Sequence, residues 1–132
     1  MDENRIGEQK GELAIRTLAM PADTNPSGDI FGGWLISQMD IAGGITARAR
    51  AHGRVATIAV TGFTFHKPVL VGDVVCCYAD IHKIGHTSII IGVEAWVLRQ
   101  HDSEDLIKVT EGVFTYVAID DIGSPRPINI ND

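Results

Sequence analysis

The chain has 132 residues, enough for one domain around a single core, and 45% of them are hydrophobic. A net charge of −6 argues against general nucleic-acid binding. No stretch is long and apolar enough to span a bilayer, and the polar N-terminus lacks the pattern of a signal peptide.

Residues 1–11 are polar and are expected to be a flexible N-terminus. Glu12 to Met20 alternates loosely and reads as a strand, and Pro21 to Gly28, with Pro, Asp, Asn, Ser and Gly, reads as a loop. From Ile30 to His52 the apolar residues Phe31, Leu35, Met39, Ala42, Ile45 and Ala49 recur at helical spacing, and Gly53 sits at the expected stop. Trp34, Ile36 and Ile41 fall off that stripe, which predicts a helix buried on more than one side. The period then changes. Val55 to His66, Val74 to Lys83, Thr87 to Arg99 and Leu106 to Ile119 are strand candidates rich in Val, Ile, Thr and aromatic residues. Lys67-Pro68, the connector Val69 to Asp73, Gly85 and the polar cluster His101 to Asp105 separate them, and residues 121–132, with Pro125 and Pro127, form an irregular tail. Short links between long strands predict antiparallel neighbours, with the helix covering one face of an α+β domain over residues 12–120.

Cys76 and Cys77 are adjacent. On a strand their side chains point to opposite faces, so they make a poor disulfide, and a reduced, cytoplasmic setting is expected. The five histidines form neither an HExxH pair nor a Cys/His zinc pattern, and no GxSxG elbow or glycine-rich phosphate loop is present. No metal and no cofactor is expected.

The chemistry concentrates between Asn25 and Asp40, which spell NPSGDIFGGWLISQMD. Gly32 and Gly33 stand at the start of the predicted helix, where amides lack intrahelical partners and face the positive end of the dipole. Asp40 is one carboxylate within an apolar helix, an expensive placement unless the charge is used or satisfied. Together they suit attack on a carbonyl-type centre, with an oxyanion site and a general base. Structural alternatives stand beside each role: Asp40 satisfied by donors, the glycines permitting close packing, Asn25 as a turn or cap residue, and Asp29 as the helix N-cap. Gly33 and Asp40 are about two turns apart, roughly 10 Å along the axis, so one copy is ill placed to hold both ends of one reacting group. A two-fold dimer with antiparallel helices would bring Gly33 of one chain near Asp40 of the other.

The order β-α-β-β-β-β with Asn-x-x-Gly-Asp-x-x-Gly-Gly and the later Asp opening the helix resembles the hotdog-fold acyl-CoA thioesterases, above all the small bacterial acyl-CoA hydrolases built from one hotdog domain. The similarity runs from Glu12 to Asp120 and includes Val71-Gly72-Asp73-Val74. It implies one long central helix wrapped by a curved five-stranded antiparallel sheet, and hydrolysis of acyl-CoA to free acid and coenzyme A. It implies Asp40 as general base or nucleophile, a Gly32 or Gly33 amide polarising the thioester oxygen, and Asn25 positioning substrate or water. It further implies sites at a subunit interface and a homodimer assembling into a homohexamer, a trimer of dimers.

Coenzyme A carries phosphates, so Arg54, Lys67 and Lys83 are candidate contacts, with Arg48, Arg50 and His52 beside them at the helix end. Gly85 and Ser88, in the turn Lys83 to Ser88, are candidates for the pantetheine or nucleotide. Cations near a helix C-terminus are also favourable in their own right. Phe31, Trp34, Phe63 and Phe65 are candidates for the acyl pocket, and broad short- to medium-chain specificity is expected. Two rival readings are a hotdog hydratase or dehydratase, which would want a histidine near the helix start where none lies between Asn25 and Asp40, and a non-catalytic acyl-CoA sensor.

Overall fold

Residues 32–51 contain no proline, and good helix formers (Leu35, Gln38, Met39, Arg48, Arg50 and the alanines) are spread along them; they form the long helix α1 (Gly32–Ala51). The structure, a computed structural model, describes residues 8–99 and 106–131. His52 ends α1 in the left-handed conformation, one residue before the glycine expected to do so, and its N–H returns to the Arg48 carbonyl. Arg48 and Arg50 lie in the last turn, where the helix dipole favours them.

Five strands pack against one side of the helix: β1 (Glu12–Leu18), β2 (Val55–Phe65), β3 (Val74–Ile84), β4 (Ser88–Leu98) and β5 (Leu106–Ala118). They form one antiparallel sheet in the order β1-β3-β4-β5-β2. The β3–β4 and β4–β5 pairs are sequence neighbours, as the short links predict. The pairing of β2 with β5, Val55 against Ala118 through Phe65 against Thr110, sends β2 to the far edge. Ile89, Ile91, Val93, Ala95 and Val97 of β4 and Phe114, Tyr116 and Ala118 of β5 face α1, meeting its buried stripe of Leu35, Met39, Ala42, Gly43, Ala47 and Ala51. None of the described helices is long and apolar enough to cross a membrane.

The helix is buried on one side only within a single chain. Ile41 and Ile45 remain 52% and 48% exposed, and β2, an edge strand, contains no fully buried residue and exposes Ile58, Val60 and Phe65. Phe65 lies against Gly32 while Thr57 bonds Asp40, so β2 runs alongside α1 in the opposite sense and the two exposed rows form one flank. A long edge strand with apolar side chains is a pairing hazard unless covered.

The Val71 to Val74 segment is a structural knot. Asp73 is 1% exposed; its carboxylate accepts from the Leu70 N–H (2.8 Å) and from two nitrogens of Arg99 (3.2 and 3.0 Å). Arg99 Nη2 also donates to the Pro68 carbonyl, and Ala19 and Gly72 close the other side through backbone bonds. The end of β1, the connector and the end of β4 are thereby tied to one charge pair whose carboxylate is buried.

Residues 1–7 of the expected flexible N-terminus, and the polar turn from His101 to Asp105, lie outside the described residues. Of residues 8–11, Lys10 N donates to Glu94 Oε1 (3.2 Å), and Gly11 has φ +90° with its Cα against the Ala79 carbonyl, where any Cβ would collide. Gly11→Ala is expected to cost roughly 1–3 kcal/mol of stability, combining backbone strain with that clash, and urea unfolding measures it. The tail is irregular but pinned by three arginines. Arg50 donates to the Asn129 and Ile130 carbonyls, Arg54 to Asp120 and Asp121, and Arg126 to Ala51 and Ile119.

Candidate active site

The first turn of α1 has no side-chain cap. Its N-cap residue is Phe31, so Asp29, expected as the cap, stands two residues too early; its carbonyl instead accepts the Asn25 N–H at 2.7 Å. The reason is local: Ile30 is buried and its N–H is bonded to the Val69 carbonyl, which holds residues 29–31 extended. Trp34 N bonds back to Phe31 O, but the amides of Gly32 and Gly33 have no acceptor among the described residues. Both glycines are exposed, with the Phe65 and Phe31 rings at their sides. Two bare amides at the positive end of a twenty-residue helix form a ready anion site.

Asn25 Oδ1 accepts from the N–H groups of Ser27 (2.9 Å) and Asp29 (3.2 Å), shaping the loop that leads to the helix. Its amide nitrogen has no acceptor among the described residues, so the turn role leaves two donors for a ligand.

Asp40 is half-buried two turns further along. Its Oδ1 accepts from the Thr57 hydroxyl of β2 (2.7 Å) and lies 3.0 Å from the Tyr116 hydroxyl of β5. Its Oδ2 accepts no hydrogen bond among the described residues. Burial, followed by the charge and hydrogen bond of Asp40, pushes Tyr116 far above the ordinary phenol range, so it stays a neutral donor. The carboxylate is thus satisfied on one oxygen and open on the other, the arrangement a general base or nucleophile requires. Thr57 and Tyr116 escaped the sequence reading, since both look like ordinary residues of alternating strands.

Four aromatic rings join the two ends of this site. Phe65 stacks on Phe63 (centroids 5.5 Å apart), Phe63 meets Phe114 edge-on (5.8 Å), and Phe114 stacks on Tyr116 (6.3 Å). The row runs from beside Gly32 to Asp40 along the β2 flank. Phe63 and Phe65, expected near an acyl chain, belong to it; Trp34 packs partly buried against the core.

The candidate coenzyme A contacts separate into two groups. Lys67 follows β2 at the end where α1 starts. Arg54, Lys83, Gly85 and Ser88 lie at the opposite end, where Ser88 pairs with Val117 and Val55 with Ala118. Gly85 N donates to the Ser88 carbonyl (2.7 Å), closing the β3–β4 turn. Arg54 Nη1 is occupied by the Asp120 and Asp121 carbonyls, so its first task is to hold the tail.

Neither cysteine suits a nucleophile. Both are buried and unpaired; burial pushes the Cys77 thiol up to about 12 and raises Cys76 against the pull of Arg16. No group of side chains that would hold a metal occurs among the described residues. A cleft of about 180 Å³ on the outer face of the sheet, lined by Lys10, Asp80, His82, Glu94 and Glu111 among others, lies across the sheet from Asp40. Its three carboxylates would repel phosphate.

One long helix, carrying Asp40 and an uncapped start, packs against a five-stranded antiparallel sheet in a hotdog arrangement, and residues 27–103 match the Thioesterase superfamily. The chain belongs to that family. It is 59% identical to the acyl-CoA thioester hydrolase YciA of Salmonella typhimurium over 124 residues, covering 92% of each chain. Among solved structures it superposes on the hexameric thioesterase y2039 of Yersinia pestis with a TM-score of 0.87 at 60% identity, covering 92% of this chain and 98% of that one. It likewise matches Cj0915, a hexameric hotdog fold thioesterase of Campylobacter jejuni, with a TM-score of 0.86 at 42% identity and 92% coverage of both.

Proposed function

We infer that the protein hydrolyses acyl-CoA thioesters to the free acid and coenzyme A. The observation that carries this is the Asp40 carboxylate, held through Oδ1 by two hydroxyls and open at Oδ2, in a chain closely similar to acyl-CoA thioester hydrolases. In the general-base route, Oδ2 takes a proton from water as its oxygen bonds to the thioester carbon, and the carbonyl electrons move to an oxygen facing the Gly32 or Gly33 amide. Collapse of that intermediate breaks the carbon–sulfur bond, and the thiolate leaves with the proton as coenzyme A. In the alternative, Oδ2 attacks the thioester carbon and the carbon–sulfur bond breaks to release the coenzyme A thiolate; water then hydrolyses the resulting anhydride to the free acid, restoring the carboxylate and supplying the proton that the thiolate takes up. The same residues serve both routes. Asn25, through its free amide nitrogen, orients substrate or water.

The site is completed by a second copy. Along α1 the glycine amides and Asp40 are separated by roughly 10 Å, too far for one thioester carbonyl and its attacking water. A two-fold axis across the β2–α1 flank covers Ile41, Ile45, Ile58 and Val60 and sets the helix start of one chain beside Asp40 of the other. Dimers of this kind assemble further into a hexamer, the state of the Yersinia and Campylobacter relatives. Ile45→Glu would desolvate a charge in that contact; it is expected to yield a folded monomer with less than about 1% of wild-type kcat/KM, as checked by sedimentation and thiol release. Lys67, and Lys83 with the Gly85–Ser88 turn, are proposed to meet the coenzyme A moiety. The free thiols suit a reducing, cytoplasmic setting.

The reading is tested by following thiol release from acyl-CoA substrates of rising chain length. Turnover of short- to medium-chain substrates supports it and maps the pocket. Binding without turnover contradicts it and makes the protein an acyl-CoA sensor.

A further inference from the structure

We propose that Tyr116 is a positioning residue for this reaction: its hydroxyl, admitted beside α1 by the absence of a side chain at Gly43, holds Oδ1 of Asp40 and leaves Oδ2 as the reacting oxygen. The Tyr116 oxygen lies 3.0 Å from Asp40 Oδ1 and 2.8 Å from the backbone carbonyl oxygen of the same residue. One hydroxyl proton shared between those acceptors ties the carboxylate to its own backbone and fixes the side-chain torsion of Asp40. The phenol is 1% exposed, so no bulk water replaces it if it is lost. Its ring is braced by stacking on Phe114 at an interplanar angle of 15°.

Gly43 explains how the hydroxyl gets there. It lies three residues after Asp40 on the buried side of α1, and a Cβ built on it would overlap the Tyr116 hydroxyl. A glycine inside a helix is destabilising relative to alanine, so its presence calls for a compensating contact. The contact is the phenol. Because the hydroxyl stays protonated for the reasons given above, it remains a donor throughout the working pH range.

The proposal rests on the thioesterase reading for its kinetic test and not for its structural one. The experiment is a double-mutant cycle of Asp40→Ala and Tyr116→Phe, read by steady-state kinetics and by urea unfolding. Tyr116→Phe is expected to lower kcat about 10- to 100-fold with KM within about threefold of wild type, as loss of alignment does. In the Asp40→Ala background the same change should lower the residual rate by less than about twofold, because the phenol acts through Asp40. A kcat within twofold of wild type, a rise in KM alone, or equal factors in both backgrounds would overturn the proposal. In unfolding, Tyr116→Phe should lower the urea midpoint more beside Asp40 than beside Ala; equal shifts show that the phenol does not hold the carboxylate. Should Tyr116→Phe not fold, Gly43→Ala, which keeps the phenol but takes its room, must show the same fall in kcat, and wild-type kcat in that variant overturns the proposal. A wild type that turns over no acyl-CoA contradicts the thioesterase reading, and the unfolding cycle then decides the contact by itself.

Discussion

Asp40→Asn is expected to lower kcat for acyl-CoA hydrolysis by about 10²–10⁴-fold while leaving the fold and KM nearly unchanged. Asparagine keeps the size of the side chain and an oxygen that accepts from Thr57 and Tyr116, so the packing around α1 survives. What disappears is the charge on the second oxygen, and with it the ability to take a proton or attack a carbonyl. In both proposed routes Oδ2 is the reacting atom, so the loss is expected to fall on kcat. Thiol release measures the rate, and thermal unfolding checks the fold. Wild-type turnover in Asp40→Asn would place the base elsewhere and reduce the carboxylate to a structural role.

The second large effect is on stability. Asp73→Ala is expected to cost about 3–5 kcal/mol, because Arg99 would keep a largely buried charge without its partner. The Leu70 N–H would also lose its acceptor, and the connector between β2 and β3 its anchor. Asp73→Asn should cost less, since it keeps an acceptor for Leu70. Both are read from the urea midpoint at constant slope. A loss below about 1 kcal/mol for Asp73→Ala would mean that water reaches Arg99 and that the knot adds little. Activity in this variant should follow the folded fraction, since Asp73 is far along the sheet from Asp40.

Local pattern carried the element order and most boundaries. Val55 to His66 reads as a strand and ends in the structure at Phe65, because Lys67-Pro68 follows. The helix is two residues shorter at its start than its apolar pattern, because Ile30 is drawn into a bond with Val69. That contact is long-range and leaves no trace near residue 30, where residue type alone points to Asp29 as the cap. The place of β2 at the sheet edge is likewise a long-range choice, made by its pairing with β5. Of the candidate site, the residues within the Asn25 to Asp40 run were legible because the loop, helix start and carboxylate follow one another in sequence. Tyr116 is seventy-six positions from Asp40 and sits in an alternating strand, where a core tyrosine looks the same as a positioning one. The readable signal was on the helix: the glycine pair Gly43-Gly44 in its interior calls for a close neighbour without naming it. The basic residues at the helix end looked like one cluster for phosphate, and the tail carbonyls take up Arg50 and Arg54, because groups at the end of an irregular segment need donors too.

Each site is proposed to be built from two chains, Asp40 from one and a helix-start amide from the other. Proline in the first helical turn removes a single amide proton and is tolerated there, so Gly32→Pro and Gly33→Pro each delete one candidate oxyanion donor. The decisive measurement is thiol release by dimers formed from an equal mixture of Asp40→Asn and whichever of these proline variants is inactive alone. Half of the random dimers are mixed and each mixed dimer regenerates one intact site of two, so activity is expected to recover to about a quarter of wild type. If mixed dimers form and the activity stays at the level of the separate variants, both groups act within one chain and the composite site is wrong.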